Sequence, residues 1–169
     1  MEKSDSASTG FPPVSGEDAR VLILGSLPGQ KSLQEVQYYA HPRNDFWPIM
    51  KQLLDVDGDY QQRCKGLIDS RIALWDVLAS ARRPGSLDAS IDLSSAVPND
   101  FASFFASHAS IRLVCFNGRK AEALFRRFSA GALPDDVKTA LLPSSSPAHA
   151  TLTLKEKLSR WRGIIEPCL

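Results

Sequence analysis

The stretch Val21-Leu22-Ile23-Leu24-Gly25-Ser26-Leu27-Pro28-Gly29 decides the fold of this chain. Four branched apolar residues in succession are typical of a strand that is buried on both faces of a parallel sheet. The glycines and the proline that follow predict a tight loop at the end of that strand. Because ligands of open α/β sheets bind beyond the carboxyl ends of the strands, we predict a binding site in this loop.

Aromatic and polar side chains crowd the segment that follows the loop. Residues 38–47 read Y-Y-A-H-P-R-N-D-F-W, and Pro42 prevents a regular helix through the middle of the segment. A core helix would space its aromatic residues three and four positions apart, whereas here rings, amides and a cation alternate. Such a mixture suits a pocket for a planar polar molecule, and we predict that this molecule is a nucleobase.

The rest of the chain alternates between apolar runs and helical patterns. We predict strands over 21–24, 72–78, 111–116 and 139–142, and helices over 46–54, 60–70, 98–108, 119–128 and 152–164. In the last helix we expect Leu152, Leu154, Leu158 and Trp161 to face inward, and Lys155, Lys157 and Arg160 to face solvent. This alternation predicts a three-layer α/β/α sandwich around a central four-stranded, mostly parallel sheet.

The length and charge of the chain limit its organisation. It has 169 residues, 43% of them apolar, which is enough for one well-packed domain. We predict a flexible N-terminal segment over 1–15 and a single domain over 16–169, with Phe11-Pro12-Pro13 attaching the segment to the domain. Because the net charge is only +1, any affinity for DNA must come from a local patch.

The cysteines and the apolar runs argue against several classes of protein. Cys64, Cys115 and Cys168 are isolated in the sequence, so we expect neither a zinc site nor an iron–sulfur cluster, and no metal or cofactor of any kind. No apolar run has the length of a signal peptide core or of a transmembrane helix. We therefore expect a cytoplasmic protein without membrane contacts.

Four motifs together resemble the uracil-DNA glycosylase superfamily. They are G-S-L-P-G with Y-Y-A-H-P-R-N-D-F-W within 25–47, L-W-D-V-L at 74–78, C-F-N-G-R-K-A at 115–121 and L-P-S-S-S-P-A-H-A at 142–150. S-L-P-G combined with Y-Y-A-H-P-R-N is most similar to the hypoxanthine-DNA (deoxyinosine) glycosylase branch. The resemblance covers nearly the whole chain after Gly10 and implies the same α/β/α fold.

The resemblance also implies an activity. It implies a monofunctional, monomeric DNA glycosylase that flips a deaminated base out of DNA and hydrolyses its N-glycosidic bond, which starts base excision repair. The base is hypoxanthine or uracil, with xanthine as a further candidate. Two other classes stay open: a catalytically weak module that binds damaged DNA, and a nucleoside or phosphate hydrolase of the same fold. The absence of an acidic cluster and of a P-loop lysine motif counts against the last class.

The resemblance places catalytic roles on Asn44 and Ser26. Hydrolysis of an N-glycosidic bond passes through an oxocarbenium-like sugar, so the enzyme must position a water and support negative charge on the departing base. The mismatch-specific branch carries Asn where this chain has Ser26, and the hypoxanthine branch gives the task to the Asn of H-P-R-N, which is Asn44. The alternative is that Asn44 caps the helix that begins near Asp45 or Phe46.

Five further residues are predicted to bind the base. Tyr39 matches the aromatic position that stacks on an extruded base, and every base offers a π-face to such a ring. A carboxylate at Asp76 would accept a base N–H or hold the water; alternatively it caps a neighbouring loop. Asn117 would contact the base, although Asn-Gly is also a plain turn signal. Leu27 and Phe46 complete the set, and Phe46 is also a candidate core ring together with Tyr38 and Trp47.

The segment 143–150 resembles the loop with which this superfamily enters the minor groove. We predict DNA contacts from Ser144, Ser145, Ser146, Pro147, Ala148 and His149. Lys31 and Arg43 are predicted to bind phosphates, and Arg82, Arg83, Arg119, Lys120, Lys155 and Lys157 are weaker candidates for the same track. The uracil-specific branch begins this motif with a histidine, and Leu142 replaces it here. The alternative is that the segment only anchors the last helix.

Overall fold

The parallel sheet predicted from the apolar runs lies at the centre of the molecule. The structure is a computed structural model that describes residues 7–169. Its strands are β1 (Ser8–Thr9), β2 (Val21–Gly25), β3 (Ile72–Asp76), β4 (Leu78–Ala81), β5 (Val97–Pro98), β6 (Leu113–Asn117) and β7 (Lys138–Leu142). Its helices are α1 (Gln30–Glu35), α2 (Phe46–Leu54), α3 (Tyr60–Asp69), α4 (Phe101–Ser107), α5 (Arg119–Phe128) and α6 (Leu154–Ile165). The central sheet has the order β3-β2-β6-β7 with every neighbouring pair parallel.

Side chains of β2 alternate between two apolar layers, as the pleat of a strand requires. Leu22 and Leu24 pack in the cluster that contains the aromatic residues of α4 and α5. Val21 and Ile23 pack in the cluster formed with α2, α3 and α6. Both faces of the sheet are therefore covered by helices, which confirms the predicted three-layer α/β/α sandwich.

The strand register brings functional candidates to one edge of the sheet. Gly25 is paired with Asp76 across β2 and β3, and Asn117 with Leu142 across β6 and β7. Because all four strands run in the same direction, their carboxyl ends lie side by side. The loops that leave these ends therefore enclose one common space.

The second apolar run does not form one continuous strand. The predicted strand 72–78 divides after Asp76: β3 ends there, and β4 joins a separate antiparallel sheet with the order β1-β4-β5. The backbone N–H groups of Val77 and Leu78 donate to the carbonyls of Gly25 and Ser26, so the chain stays attached to the loop after β2 while it changes sheets. The short helix α1 was not predicted, and neither was strand β4, of which only Leu78 falls within the predicted strand 72–78.

The chain before residue 16 is part of the packed structure from Ser8 onward. Ser8 and Thr9 pair with β4, and Val14 forms an antiparallel bridge with Leu74. The carbonyl of Phe11 accepts a hydrogen bond from Trp75 Nε1 at 3.0 Å, so the predicted attachment through Phe11-Pro12-Pro13 is confirmed. The predicted boundary at residue 16 does not separate the packed residues from the others. Residues 1–6 of the predicted segment lie outside the described residues.

Helix α6 departs from the prediction on one face. Trp161 is fully buried, and Lys155 and Arg160 are exposed, as predicted. Lys157 is only 2% exposed, and Leu154 is exposed at the first turn; both expectations for these two residues were wrong. Lys157 is buried because its ammonium pairs with a carboxylate at the start of α2, a partner that the helical pattern cannot reveal. Across residues 7–169, no helix is both long enough and apolar enough to cross a membrane.

Candidate active site

A cavity of about 490 Å³ opens at the carboxyl ends of the central strands. Residues from the four loops beyond β2, β4, β6 and β7 line it. The lining includes most of the predicted site residues: Ser26, Leu27, Lys31, Tyr39, Asn44, Asp76, Asn117 and Ser144 to His149. The fold therefore brings together candidates that lie more than 100 positions apart in the sequence.

The two predicted catalytic residues lie on different loops of the cavity. Asn44 accepts a hydrogen bond at Oδ1 from the backbone N–H of Phe46 at 3.0 Å. This bond satisfies one of the free N–H groups at the start of α2, so the capping interaction is present. Asn44 also lines the cavity, where its Nδ2 group remains to bind a ligand. Ser26 is buried, and its Oγ donates to Asp88 Oδ2 at 3.1 Å.

Tyr39 is held by a ring on one side and by an amide at its hydroxyl. Its ring stacks on Phe46 with centroids 4.2 Å apart and an angle of 24° between the planes. Its hydroxyl accepts a hydrogen bond from Asn117 Nδ2 at 3.0 Å. The Tyr39 backbone has φ of 54°, in the left-handed region that a bulky residue seldom adopts. This conformation and the two contacts fix the ring in the cavity wall.

Phe46 does not line the cavity. It is completely buried, under Tyr39 and beside Trp47 and Trp161. The prediction that Phe46 touches a base is corrected for this reason, whereas its alternative role as a core ring is confirmed. Tyr38 and Trp47 are buried too, and burial raises the pKa of the Tyr38 hydroxyl above its ordinary value.

Asn117 connects two parts of the site. Its Nδ2 donates to Tyr39 and also to Ser145 Oγ at 2.9 Å, and its Oδ1 accepts from the Ser145 backbone N–H at 2.9 Å. Both amide hydrogens are therefore in use. A contact between Asn117 and a base stays a prediction: a contact through Nδ2 requires one of its two bonds to be exchanged, whereas Oδ1 accepts one bond and has a second lone pair. The observed role is to fix the serine segment, residues 144–149, against the end of β6.

Asp76 is the most unusual group in the cavity. It is 4% exposed, and its Oδ2 has no hydrogen-bond partner within residues 7–169. Burial and the negative charge of Asp88 raise the pKa of this carboxyl and the positive charge of Arg83 lowers it, so that the resulting pKa is about 7. A carboxyl group with these properties exchanges a proton near neutral pH. Perturbed groups of this kind are concentrated at functional sites.

Gly25 allows the carboxylate and the tyrosine hydroxyl to approach the strand end. A Cβ atom at this position would lie 2.5 Å from Asp76 Oδ1 and 2.8 Å from the Tyr39 hydroxyl. Neither group is the free end of a flexible chain, since Asp76 is buried and the Tyr39 ring is held by Phe46 and Asn117. Only glycine therefore fits at the end of β2.

The loop after β4 contributes two charged residues whose positions in the site were not predicted. Arg83 was expected to be solvated or bound to phosphate, but its side chain is 1% exposed. It donates to the backbone carbonyls of Leu27 and Pro28 and lies 3.7 Å from Asp88 Oδ1. Arg83 thus holds the loop after β2 in place. Asp88 was missed because a carboxylate in a polar loop has no local pattern that marks it as part of a site.

The predicted phosphate contacts occupy different positions. Lys31 lies at the edge of the cavity and forms an exposed ion pair with Glu35 at 3.0 Å. Arg43 is exposed but is not among the residues that line the cavity. In the serine segment, the backbone N–H groups of Ser146 and Ala148 donate to the hydroxyls of Ser144 and Ser146. These short-range bonds give the segment a defined shape at the mouth of the cavity.

Between residues 7 and 169, no group of three or more His, Cys, Asp or Glu side chains is placed to hold a metal ion. The cavity combines the amide of Asn44, the buried carboxyl of Asp76 and the aromatic ring of Tyr39. This set can bind a planar molecule and exchange a proton with it.

Comparison with known proteins identifies the class of protein that this fold and site define. The family model of the uracil DNA glycosylase superfamily matches residues 12–163. The chain belongs to this superfamily. It is a DNA glycosylase, a hydrolase of N-glycosyl bonds.

Individual relatives agree with this assignment over almost the whole chain. A Methanosarcina acetivorans protein named hypoxanthine DNA glycosylase is 38% identical over 161 residues, which are 92% of this chain and 96% of the relative. A Methanosarcina barkeri protein of the same name is 37% identical over 158 residues, 90% of this chain and 94% of the relative. The solution NMR structure of a Methanosarcina acetivorans protein described as a candidate uracil DNA glycosylase is 38% identical, with a TM-score of 0.76 and coverage of 94% of this chain and 96% of that one. The predicted family, fold class and enzyme class are confirmed.

Proposed function

We propose that this protein excises hypoxanthine from DNA by hydrolysing the bond between the base and deoxyribose. The observation that carries the proposal is the cavity in which Asn44, Tyr39 and Asp76 meet at the end of the central sheet. The two relatives named hypoxanthine DNA glycosylase support hypoxanthine over the other deaminated bases. Uracil and xanthine are the competing substrates, because both are planar and carry N–H groups next to carbonyls.

The cavity suits a single extruded base. Its volume is within the usual range of small-molecule sites. Since Phe46 covers one face of the Tyr39 ring, a base would stack on the opposite face. Stacking of this kind contributes about 1 to 3 kcal/mol per base. Leu27 supplies an apolar surface, and Asp76 lies where it would meet the base edge.

Asn44 is proposed to position the attacking water. Its Oδ1 is engaged by the Phe46 N–H, so the side chain has a fixed orientation and its Nδ2 group is the part free to hold a ligand. Ser26 lies on the facing loop and is proposed to assist through its hydroxyl, although its bond to Asp88 makes it a weaker candidate. Neither residue forms a covalent bond in this scheme, so the product is free base and an intact abasic site.

The base must leave the helix before this chemistry can occur. The glycosidic carbon cannot be attacked inside a stacked duplex, and extrusion costs a few kcal/mol, least for a damaged or mismatched pair. The serine segment lies at the mouth of the cavity, and we propose that its hydroxyls bind backbone phosphates while Pro147, Ala148 and His149 enter the minor groove. Lys31 is a further candidate for a phosphate contact.

Oligonucleotide cleavage tests the proposal directly. Duplexes that carry a single inosine, uracil, xanthine or mismatched thymine are incubated with the protein and then cleaved at abasic sites with alkali. We expect the fastest excision from inosine. Faster excision of another base would replace hypoxanthine as the substrate, and tight binding of damaged DNA without excision would favour the alternative of a binding module.

A further inference from the structure

The carboxyl group of Asp76 is not explained by the folded structure alone. Every other polar strand-end side chain described above has a hydrogen-bond partner, but Asp76 Oδ2 has none among the described residues. A buried polar oxygen without a partner costs free energy, and this cost is larger for the carboxylate than for the protonated acid. Asp76 lines the cavity, beside the proposed stacking ring.

The charged neighbours of Asp76 come mainly from one loop. Asp88 and Arg83, which follow β4, face it with opposite charges, and the buried Tyr38 and Tyr39 face it from the segment before α2. Burial and Asp88 raise the pKa of Asp76, Arg83 lowers it, and the resulting pKa is about 7. Both protonation states of Asp76 are therefore accessible near neutral pH.

We propose that Asp76 is the general acid of the reaction and donates its proton to N7 of the departing purine. This inference rests on the proposed function and deepens it, since it makes the substrate class purine. N7 is the most basic position of a 6-oxopurine, and a pyrimidine has no equivalent atom. Asn44 is left to position the water, so the two tasks of the reaction are carried by separate residues.

The bond between C1′ of the sugar and N9 of the base breaks, and its electron pair stays on N9. The proton of Asp76 moves to N7, so the base leaves as neutral hypoxanthine and Asp76 becomes a carboxylate. Water held by Asn44 adds to the oxocarbenium carbon and loses a proton, which restores the acid form of Asp76 through solvent once the base has left.

General acid catalysis of the leaving group predicts a specific pH dependence. Only the protonated form of Asp76 is active, so the excision rate is highest below its pKa and falls about tenfold per pH unit above it. A residue that only binds the base or stabilises the fold would not impose this slope on the chemical step. The slope is therefore the readout that separates catalysis from structure.

Single-turnover excision of inosine from duplex DNA, with the protein in excess, provides the test. The wild-type protein is measured from pH 5.5 to 9, together with Asp76→Asn, which is nearly the same size. We expect Asp76→Asn to lower the rate about 100-fold or more and to abolish the fall above neutral pH, while binding of a non-hydrolysable inosine duplex stays within about threefold. Asp88→Asn is the matched control from the same site, and it must retain the slope.

Two further measurements keep the inference falsifiable if Asp76→Asn folds poorly. His41→Gln and His149→Gln must retain the slope, because histidines as a class also change charge near neutral pH and both line the cavity. A duplex with 7-deaza-deoxyinosine, in which N7 is replaced by carbon, should be excised by the wild-type protein about as slowly as inosine by Asp76→Asn. Inosine excision that is independent of pH, or 7-deaza-deoxyinosine excised as fast as inosine, would overturn the inference alone. No release of hypoxanthine at any pH would overturn the proposed function as well.

Discussion

Lys157 and Asp45 form an ion pair in which the ammonium and Oδ2 are 2.9 Å apart and the lysine side chain is 2% exposed. The pair joins α6 to the residue that precedes α2 and follows Asn44. The Asp45 backbone N–H also donates to the Ser145 carbonyl at 2.9 Å, and Trp161 Nε1 donates to the Pro143 carbonyl at 2.9 Å. Through these contacts helix α6 holds in place both the loop of the proposed catalytic amide and the start of the serine segment.

Replacing Lys157 with methionine should destabilise the protein. The substitution keeps most of the side-chain volume but leaves Asp45 without its partner, and breaking a buried pair from one side costs about 3 to 5 kcal/mol. Because Asp45 is 27% exposed, water screens part of this loss, and we expect about 2 to 4 kcal/mol. Urea denaturation measures it. Lys155→Met on the exposed face of the same helix is the control, and an equal effect of both variants would contradict the role of the pair.

Asn44 can be tested with its capping role kept separate from its proposed chemistry. Asn44→Ala removes both the amide and the bond to the Phe46 N–H, and should cost about 1 kcal/mol of stability as well as activity. Asn44→Ser retains a cap acceptor but has no amide. We expect Asn44→Ser to fold with nearly normal stability and to lose inosine excision by about 100-fold or more. If Asn44→Ser keeps full activity, Asn44 is only a cap.

Gly25 is expected to tolerate no side chain. In Gly25→Ala the new Cβ would lie 2.5 Å from Asp76 Oδ1 and 2.8 Å from the Tyr39 hydroxyl, so one of these groups must move. A displacement of this size costs about 100-fold in rate and about 1 to 3 kcal/mol in stability. The control is Gly29→Ala in the same loop, where the nearest atom to Cβ is 3.5 Å away. Single-turnover rates of the two variants check the difference, and equal rates would contradict it.

The serine segment should increase the rate of excision from duplex DNA, and much less the rate from single strands. Extrusion of a base from a duplex costs a few kcal/mol, and a single strand does not incur this cost. If Pro147-Ala148-His149 holds the opened duplex, replacing these residues with glycines removes contacts that offset the cost. We expect excision of paired inosine to slow at least about tenfold more than excision from a single strand. Thermal melts of the variant are recorded in parallel. A lower melting temperature with equal losses on all substrates would show that the segment only anchors α6.

Acidification should stabilise the protein through Asp76. The folded pKa of about 7 lies above the ordinary value of 3.8, so the folded state holds this proton more tightly than the unfolded chain. The stability it contributes is fully present below about pH 4 and is lost as the pH rises to about 7. We expect the free energy of unfolding of the wild-type protein to fall between pH 5.5 and 7.5 by more than that of Asp76→Asn. An identical fall in both would place the pKa of Asp76 near its ordinary value.

The sequence pattern predicts the central sheet well because its signals are local. Helices α2 and α5 have the predicted bounds, and the strand V-L-I-L is β2 extended by Gly25. The division of 72–78 after Asp76 was missed because apolar residues continue through Val77 and Leu78. What changes there is the sheet to which the chain belongs, and this depends on the distant partners Ser8–Thr9 and Val97–Pro98.

Charged residues were the least predictable part of the site. Lysines and arginines in helical or polar segments are mostly solvated, so Lys157 and Arg83 gave no local sign of burial. Each is buried by a partner far away in the sequence, Asp45 for Lys157 and the carbonyls of Leu27 and Pro28 for Arg83. Asp76 could be recognised from the sequence as a site candidate, because a carboxylate within an apolar strand is costly to bury unless something binds it.

We propose that the cavity at the end of the sheet releases hypoxanthine from DNA through Asn44. A duplex with one inosine is incubated with the wild-type protein and with Asn44→Ser, and free base and abasic sites are quantified by mass spectrometry before any alkali is added. We expect equal amounts of free hypoxanthine and abasic sites, with the strand intact, from the wild-type protein and almost none from Asn44→Ser. Binding of the duplex by wild-type protein without release of hypoxanthine, or equal release by both proteins, would contradict it.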